Sequence, residues 1–178
     1  MTKSSKNKIN IQYYKTANTE FILGDFEGKL CMLDYRYRVK RETVDNRLQK
    51  ALNAEYFEKD SDLLVQTRQE IDEYFQGKRK RFTVPLLMAG SEFQKSVWNA
   101  LLQIPYGETA SYLELSKSIK NEKAVRAVAN ANGANAISII IPCHRIIGTN
   151  GKLTGYAGGL ELKKKLLTIE NNLFQEGL

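Results

Sequence analysis

The chain has 178 residues, of which 42% are hydrophobic and 26% are charged, and it carries a formal net charge of +7 with a pI near 9.3. This length suffices for one domain or two small ones, each with its own buried core. No apolar run approaches the ~18 residues that cross a bilayer, and the first residues lack the apolar segment of a signal peptide. These features argue against a membrane protein, and we expect a cytoplasmic location, or a nuclear one in a eukaryote.

Cysteine and histidine are scarce, since Cys31, Cys143 and His144 are the whole set. Two cysteines do not make a disulfide framework, and a Cys/His zinc site would need a further ligand. We therefore expect free thiols and no structural metal. The positive charge favours an acidic partner, with nucleic acid as the first candidate, although a mildly basic solvated surface would give the same total.

The first half of the chain shows strand-like alternation of apolar residues and then helical spacing. The predicted strands span 9–14, 20–26 and 28–37, and the predicted helices span 44–55 and 63–75. A hairpin turn over 25–28 joins the last two strands, and Gly77 ends the second helix. Three strands and two helices make a small α+β unit.

A basic run, Lys78-Arg79-Lys80-Arg81, follows this unit. Its four cations could contact phosphates or could form a solvated linker. We place the domain boundary within residues 78–91. The chain is accordingly divided into an N-terminal domain of residues 1–84 and a C-terminal domain of residues 85–178.

The C-terminal domain is predicted to contain two short helices joined by a tight turn. After an apolar helix that begins near Ser91, Ser111 and Glu114 form a capping-box pattern for the first short helix. Asn121 can cap a second helix over 123–132. Two short helices joined by three residues are typical of a helix-turn-helix.

The second of these helices is predicted to present one long cation among small side chains. Its outward residues are Arg126, Ala127, Asn130 and Ala131. Small side chains permit close approach to a partner into which Arg126 projects, which fits shape recognition or minor-groove binding better than base reading in the major groove. An alanine-rich packing helix with a solvent-exposed Arg126 explains the pattern equally well.

Cys143 follows three isoleucines and Pro142. The β-branched run predicts a buried strand over 139–141 that Pro142 ends, so that Cys143 lies at the break. The thiolate is the nucleophilic form of cysteine, and His144 or Arg145 could lower the pKa of the thiol. A buried, inert cysteine is the more common fate of this residue type.

Two features follow Cys143. The loop 155–159 is rich in glycine, which allows backbone amides to approach a flat ligand on which Tyr156 could stack. A final helix over 160–171 carries Lys163 and Glu170.

The order and spacing of four features resemble those of the O6-alkylguanine-DNA alkyltransferases. These features are the helix-turn-helix with Tyr112 and Arg126, the segment Ile141-Pro142-Cys143-His144-Arg145-Ile146, the loop 155–159 and Glu170. The resemblance covers about residues 93–173. It implies an α+β fold, in which a small N-terminal ribonuclease H-like α/β domain precedes a mainly helical C-terminal domain with a helix-turn-helix.

The resemblance also implies a methylated-DNA–protein-cysteine methyltransferase that reacts once. Cys143 would take a methyl or other alkyl group irreversibly from O6-alkylguanine in double-stranded DNA, and O4-alkylthymine is a further possible substrate. Such an enzyme approaches DNA from the minor groove and extrudes the damaged nucleotide, since the target atom lies in the base stack. The reaction needs no cofactor, and one thiol per lesion requires only a monomer.

Five residues would have catalytic roles by the same resemblance. His144 would act through a water as the base on Cys143, with Glu170 orienting the imidazole. Tyr112 would donate to the guanine ring nitrogen, and Asn135 would hold the turn around the active-site strand.

The remaining implied roles concern binding. Arg126 would fill the space left in the duplex, and the backbone carbonyls of Cys143 and Ile146 would accept from the guanine amine. The Ala157 amide would bind O6, although some members of the family have serine at this position. The other expected DNA or substrate contacts are Ser111, Ala127, Ala131, Pro142, Arg145, Tyr156, Gly158 and Lys163. The zinc ligands of some members are absent.

Two other functions are compatible with parts of the pattern. A non-catalytic module that binds alkyl lesions and recruits other factors would use the same helix-turn-helix, but the intact Cys143 argues against it. A cysteine hydrolase that uses Cys143 and His144 lacks an evident oxyanion hole and leaves the helix-turn-helix unexplained.

Overall fold

The structure is a computed structural model that describes residues 5–170, and this part of the chain forms an α+β fold. The strands are β1 (Asn7–Lys15), β2 (Glu20–Phe26), β3 (Lys29–Tyr35), β4 (Ala54–Glu58), β5 (Ala110–Ser111) and β6 (Ile146–Ile147). The α-helices are α1 (Arg41–Ala51), α2 (Asp62–Phe75), α3 (Glu92–Leu101), α4 (Tyr112–Ser118), α5 (Val125–Gly133) and α6 (Leu160–Ile169). Two short 3₁₀ helices span Glu122–Ala124 and Cys143–Arg145. No helix within residues 5–170 is long and apolar enough to cross a membrane.

The N-terminal sheet has the strand order β3-β2-β1-β4. The first three strands pair antiparallel, of which the sequence predicts only the β2–β3 hairpin, and β4 runs parallel to β1. The predicted hairpin turn is confirmed: Glu27 and Gly28 connect β2 to β3, and both have a positive φ. Positive φ at both central residues is typical of tight two-residue hairpins, since it matches the twist of the strands.

Strand β4 is absent from the sequence prediction, which extended the first helix to residue 55. The helix α1 instead ends at Ala51, and Asn53 takes a positive φ of 46° that ends it. The strand shows little apolar alternation, because most of its side chains are exposed. Its conformation depends on pairing with β1, which begins more than 40 residues earlier, and local periodicity does not reveal such a pairing.

Side chains of β2 alternate between two apolar layers. Phe21 and Leu23 point into a layer shared with α2, whereas Ile22 points into a smaller layer shared with α1. The first layer continues without interruption into the C-terminal domain. Its members there include Val97, Trp98, Val128, Ile141, Cys143 and Leu166. The N-terminal sheet therefore packs directly against the domain that carries Cys143.

The free edge of β3 bonds to backbone from the second half of the chain. The Leu33 amide donates to the Ala136 carbonyl at 2.8 Å, and the Ser138 amide donates to the Leu33 carbonyl at 2.7 Å. Residues 85–87 pair with Leu30 in the same way. These bonds attach residues 85–87 to the N-terminal sheet, and the domain division after residue 84 stays a prediction.

The helix-turn-helix consists of α4 and α5. The capping box of α4 is confirmed, since Ser111 Oγ accepts from the Glu114 amide and Glu114 accepts from the Ser111 amide. The prediction that Asn121 caps the second helix is wrong. Its side chain makes no cap hydrogen bond, and its carbonyl accepts from the Ala124 amide at 3.0 Å within a 3₁₀ turn.

The isoleucine run before Cys143 is not a strand, against the prediction. Residues 138–142 form successive turns, in which the Ile140 amide donates to Ser138 and the Ile141 amide donates to Ile137. Ile139 has a φ of 71°, a conformation that a β-branched residue rarely adopts. Burial in the domain core explains why this run consists of apolar residues, although it forms no strand.

Candidate active site

Asn135 organises the turn that carries the Cys143 thiol. Its side-chain amide donates to the Ile141 carbonyl at 2.9 Å and to Cys143 Sγ at 3.2 Å. Its Oδ1 accepts from the Ile137 amide at 2.9 Å. Asn135 is buried, so these bonds satisfy polar groups that have no access to water. The geometry agrees with the role implied by the resemblance, although the turn replaces the expected strand.

Cys143 is the first residue of the 3₁₀ helix Cys143–Arg145 and is 4% exposed. Burial raises the pKa of its thiol, and the hydrogen bond from Asn135 opposes that rise. The cations that favour its thiolate belong to Lys163 and Arg38, against the prediction that its sequence neighbours do so. At neutral pH the sulfur is therefore a thiol, and a base must remove its proton before it acts as a nucleophile.

His144 is fully buried, and its Nε2 lies 2.8 Å from Oε1 of Glu170. An ionised carboxylate only accepts, so Nε2 carries a proton and donates, which leaves a lone pair on Nδ1. Nδ1 has no partner among residues 5–170. Because burial lowers the pKa of His144, the imidazole is neutral at pH 7 and can accept one proton at Nδ1.

Glu170 is the centre of a buried polar cluster. Arg145 donates from Nε to Oε2 at 2.9 Å and from Nη2 to Oε1 at 3.0 Å, and the Tyr74 hydroxyl donates to Oε1 at 2.8 Å. Burial alone would raise the pKa of this carboxyl group. The hydrogen bonds and charges of His144 and Arg145 outweigh burial and lower the pKa to about 2. Glu170 is therefore a carboxylate at neutral pH.

Tyr74 is a member of this cluster that the sequence does not identify as functional. It lies on α2 in the N-terminal half, 96 residues from Glu170, and its helical spacing predicts only a core residue. It is indeed a fully buried core side chain. Only its hydroxyl reaches the site, and no local pattern distinguishes such a tyrosine from a purely structural one.

Two cations that are expected to contact DNA or substrate are buried. Arg145 binds Glu170 and donates from Nη1 to the Ile104 carbonyl at 2.6 Å. Lys163 donates from Nζ to the carbonyls of Ile146 at 2.5 Å and Thr154 at 3.0 Å, and burial lowers its pKa to about 8. The sequence shows the charge of these side chains but not the partners that bury them, and their contacts with DNA or substrate stay predictions.

The helix-turn-helix exposes part of the predicted binding face. Arg126 and Ala127 are exposed on α5, and Tyr112 is half-buried at the start of α4. The prediction that Ala131 faces outward is wrong, since it is buried and its carbonyl accepts from Trp98 Nε1 at 2.8 Å.

Two further predicted contacts are buried, and three are half-buried. Ser111 is buried and caps α4, and Pro142 is buried in the turn before Cys143. Tyr156, Ala157 and Gly158 are half-buried in the loop before α6 and pack near Cys143 in the same apolar layer. Within the described part of the chain no group of three His, Cys, Asp or Glu residues could hold a metal ion, and both cysteines are free.

The fold and the site together define a class of protein. A helix-turn-helix presents an exposed arginine, and the same domain buries a thiol and, at the next residue, a neutral imidazole that is hydrogen-bonded to a carboxylate. This combination is that of a nucleic-acid-binding protein with a cysteine nucleophile.

Comparison with known proteins identifies the family. Residues 12–88 match the ribonuclease-like domain of 6-O-methylguanine DNA methyltransferase, and residues 92–172 match its DNA binding domain. The chain therefore belongs to the 6-O-methylguanine DNA methyltransferase family, which confirms the resemblance seen in the sequence.

Individual relatives extend over nearly the whole chain. A methylated-DNA–protein-cysteine methyltransferase of Methanosarcina acetivorans is 47% identical over 151 residues, which cover 85% of this chain and 90% of the relative. The constitutive enzyme of that name from Bacillus subtilis is 41% identical over 170 residues, covering 93% and 99%. The crystal structure of Mycobacterium tuberculosis OGT in complex with DNA superposes with a TM-score of 0.76 at 35% identity and covers 92% of each chain.

Proposed function

We propose that the protein repairs DNA by transferring the alkyl group of O6-alkylguanine irreversibly to Cys143. The observation that carries the proposal is the arrangement of the thiol. Asn135 holds Sγ, and the next residue along the chain, a buried and neutral His144 that Glu170 fixes, has a free acceptor nitrogen. The two relatives bear the name of this activity, and a similar protein, Mycobacterium tuberculosis OGT, was crystallised with DNA.

The proton of the thiol leaves first. No hydrogen bond joins Cys143 to His144 within residues 5–170, so transfer between them needs a bridging group, and we assign this place to a water. The proton then reaches Nδ1 of His144, and the Glu170 carboxylate stabilises the imidazolium that forms. The thiolate stays close to the Asn135 amide, whose hydrogen bond favours the charged sulfur.

Alkyl transfer follows as a single displacement. The Cys143 sulfur forms a bond to the alkyl carbon, and the bond from that carbon to guanine O6 breaks. The electron pair passes into the guanine ring, where a hydrogen bond from Tyr112 to the ring nitrogen stabilises the developing charge. The guanine finally takes back one proton. Because the product is a thioether, the sulfur is not regenerated and each protein molecule acts once.

The guanine is held by backbone groups in this proposal. The carbonyl of Cys143 already accepts from the Ile146 amide, and the carbonyl of Ile146 accepts from Lys163. A carbonyl oxygen has two lone pairs, so each retains one for the exocyclic amine of guanine. Lys163 thus positions an acceptor for the substrate instead of contacting DNA itself.

The DNA is approached through α5 in the minor groove. Ala127 and Arg126 are exposed on this helix, which permits close approach to the duplex and the insertion of one long side chain. Extruding a nucleotide costs a few kcal/mol, and an inserted Arg126 offsets part of that cost by replacing the lost stacking. A monomer suffices for this reaction, and the cytoplasmic location stays a prediction.

Mass spectrometry tests the proposed function. Wild-type protein incubated with duplex DNA that contains O6-methylguanine should gain the mass of one methyl group on the peptide containing Cys143. Cys143→Ser should bind the same DNA and gain nothing. A lesion that persists beside equimolar wild-type protein, with no mass shift, would refute alkyl transfer. Lesion-selective binding in that case would identify the alternative, a non-catalytic lesion-binding module.

A further inference from the structure

The N-terminal domain places one aromatic side chain under the loop 155–159. Tyr35 is the last residue of β3 and is 3% exposed. Its ring packs against Phe21 with centroids 5.4 Å apart, and it meets the ring of Tyr156 edge-on at 5.5 Å and 71°. The sheet therefore holds Tyr35 rigidly from below, and Tyr156 rests on it from the loop.

Tyr35 makes two further contacts with the loop. Its hydroxyl hydrogen-bonds the Tyr156 hydroxyl. Its ring also lies against Gly158, where a Cβ would come within 2.8 Å of the ring carbon that bears the hydroxyl. That distance is below any contact a real Cβ makes, so the ring leaves room only for glycine. Tyr35 fixes both ends of the segment 156–158.

This segment has few other anchors. A loop with three glycines loses much conformational entropy when it is ordered, so its position depends on the bonds that hold it. The Tyr156 carbonyl accepts from the Gly159 amide, a bond inside the loop. Lys163 holds Thr154, which precedes the segment. Among the described residues, Tyr35 is the hydrogen-bond partner that holds the Tyr156 side chain from outside the loop.

The two phenols also lie close to the reactive sulfur. Tyr35, Tyr156 and Cys143 pack in one apolar layer. Burial raises the pKa of both phenols well above its usual value, and the charge of a Cys143 thiolate raises it further, so both remain protonated. One hydroxyl donates its proton to the other in their mutual hydrogen bond. Because both phenols are protonated, the pair is an uncharged surface beside the sulfur.

We propose that Tyr35 is a specificity-determining residue, which fixes the segment 156–158 and thereby limits the size of the alkyl group that fits beside Cys143. The inference rests on the proposed alkyl transfer. It assigns a role in substrate selection to the N-terminal domain, which supplies none of the residues that the sequence motifs identify.

Two substitutions separate the contributions of the hydroxyl and of the ring. Tyr35→Phe removes the hydrogen bond to Tyr156 and keeps the ring under Gly158. Tyr35→Ala removes both and opens space under the loop. Tyr56→Phe is the matched control. The Tyr56 hydroxyl donates to Asp45 at 2.6 Å, and Tyr56 lies on β4, at the opposite edge of the same sheet from Tyr35.

The measurement is the single-turnover rate constant for duplex DNA with O6-methylguanine and with O6-benzylguanine, together with affinity for undamaged duplex. We expect the benzyl-to-methyl rate ratio to rise on the order of tenfold in Tyr35→Ala, the low end of what pocket size discriminates. A smaller rise in the same direction is expected in Tyr35→Phe, with affinity unchanged. Tyr56→Phe should keep the wild-type ratio.

The outcomes distinguish this inference from the proposed function. If wild-type protein transfers neither group, the proposed function fails. If wild-type protein is active and the folded Tyr35 variants keep its rate ratio within twofold, Tyr35 does not determine specificity. An equal change in Tyr56→Phe would show a general loss of stability and would also overturn the inference. Should Tyr35→Ala not fold, Tyr35→Phe alone decides.

Discussion

Replacing Glu170 by glutamine removes the charge at the centre of the buried cluster. The carboxylate accepts from His144, Arg145 and Tyr74, and its pKa falls from the usual 4.5 to about 2. That fall corresponds to ~3 kcal/mol of preferential stabilisation of the charged form. Glutamine leaves the Arg145 guanidinium buried without a counter-charge, a change that costs ~3–5 kcal/mol in comparable buried pairs. We therefore expect a loss of ~3 kcal/mol in the free energy of unfolding.

The same substitution should slow alkyl transfer. A glutamine amide can donate to Nε2 as well as accept from it, so the imidazole is no longer held with a free lone pair on Nδ1. Loss of a positioned general base typically reduces a rate ~10²–10⁴-fold, and we expect a reduction of at least ~100-fold. Urea denaturation gives the first quantity, and single-turnover reaction with O6-methylguanine DNA gives the second.

Glu161→Gln is the matched control, since Glu161 is an exposed acidic residue in the first turn of α6. It should change stability by less than ~0.5 kcal/mol and leave the rate unchanged. An ordinary hydrogen bond contributes only ~1 kcal/mol. The account of the cluster would be refuted if Glu170→Gln changed the free energy of unfolding by less than ~1 kcal/mol and the rate constant by less than a factor of about five.

Three further predictions concern the imidazole, the turn and the DNA face. His144 is the single histidine, so its NMR titration can be assigned directly, and because burial lowers its pKa we expect a value below 6.5. Since the folded pKa lies below the unfolded one, the protein should lose stability as the pH falls below 6.5 towards the folded pKa. A measured pKa above 7 would contradict a neutral base. Asn135→Ala should lower the unfolding free energy by ~1–3 kcal/mol, since it leaves the buried Ile141 carbonyl without its partner, and a thermal scan that matches wild type would exclude this. Arg126→Ala should slow repair of duplex DNA yet leave reaction with free O6-benzylguanine base unchanged, and equal losses on both substrates would show that Arg126 does not assist extrusion.

Local patterns in the sequence predicted the elements that depend on near neighbours. The capping box of α4 needs only Ser111 and Glu114, three residues apart, and the hairpin needs only a turn between two alternating strands. The motif around Cys143 was equally readable, because it is contiguous. These features are determined over a few residues, so the sequence shows them directly.

The errors concern features that depend on distant partners. The run 139–141 has the composition of a strand. Of the segment 136–142, however, only residues 136–138 pair with β3, and the backbone then turns and brings Cys143 within hydrogen-bond distance of Asn135. Burial of Arg145 and Lys163 likewise follows from carbonyl and carboxylate groups that other segments supply. The sequence shows the charges of these two side chains, and only the fold shows the groups that bury them.

The contribution of the N-terminal domain was the least predictable part of the site. Tyr74 reaches Glu170 across 96 residues of sequence, and Tyr35 reaches Tyr156 across 121. Each tyrosine occupies an ordinary core position, with its ring in the apolar layer and its hydroxyl at the edge of the reactive cluster. A buried hydroxyl needs a hydrogen-bond partner. With both rings in the shared core, the partner is Glu170 for Tyr74 and Tyr156 for Tyr35. The side chains that pack the N-terminal sheet against the second half of the chain therefore also bond to Glu170 and Tyr156 of the candidate site.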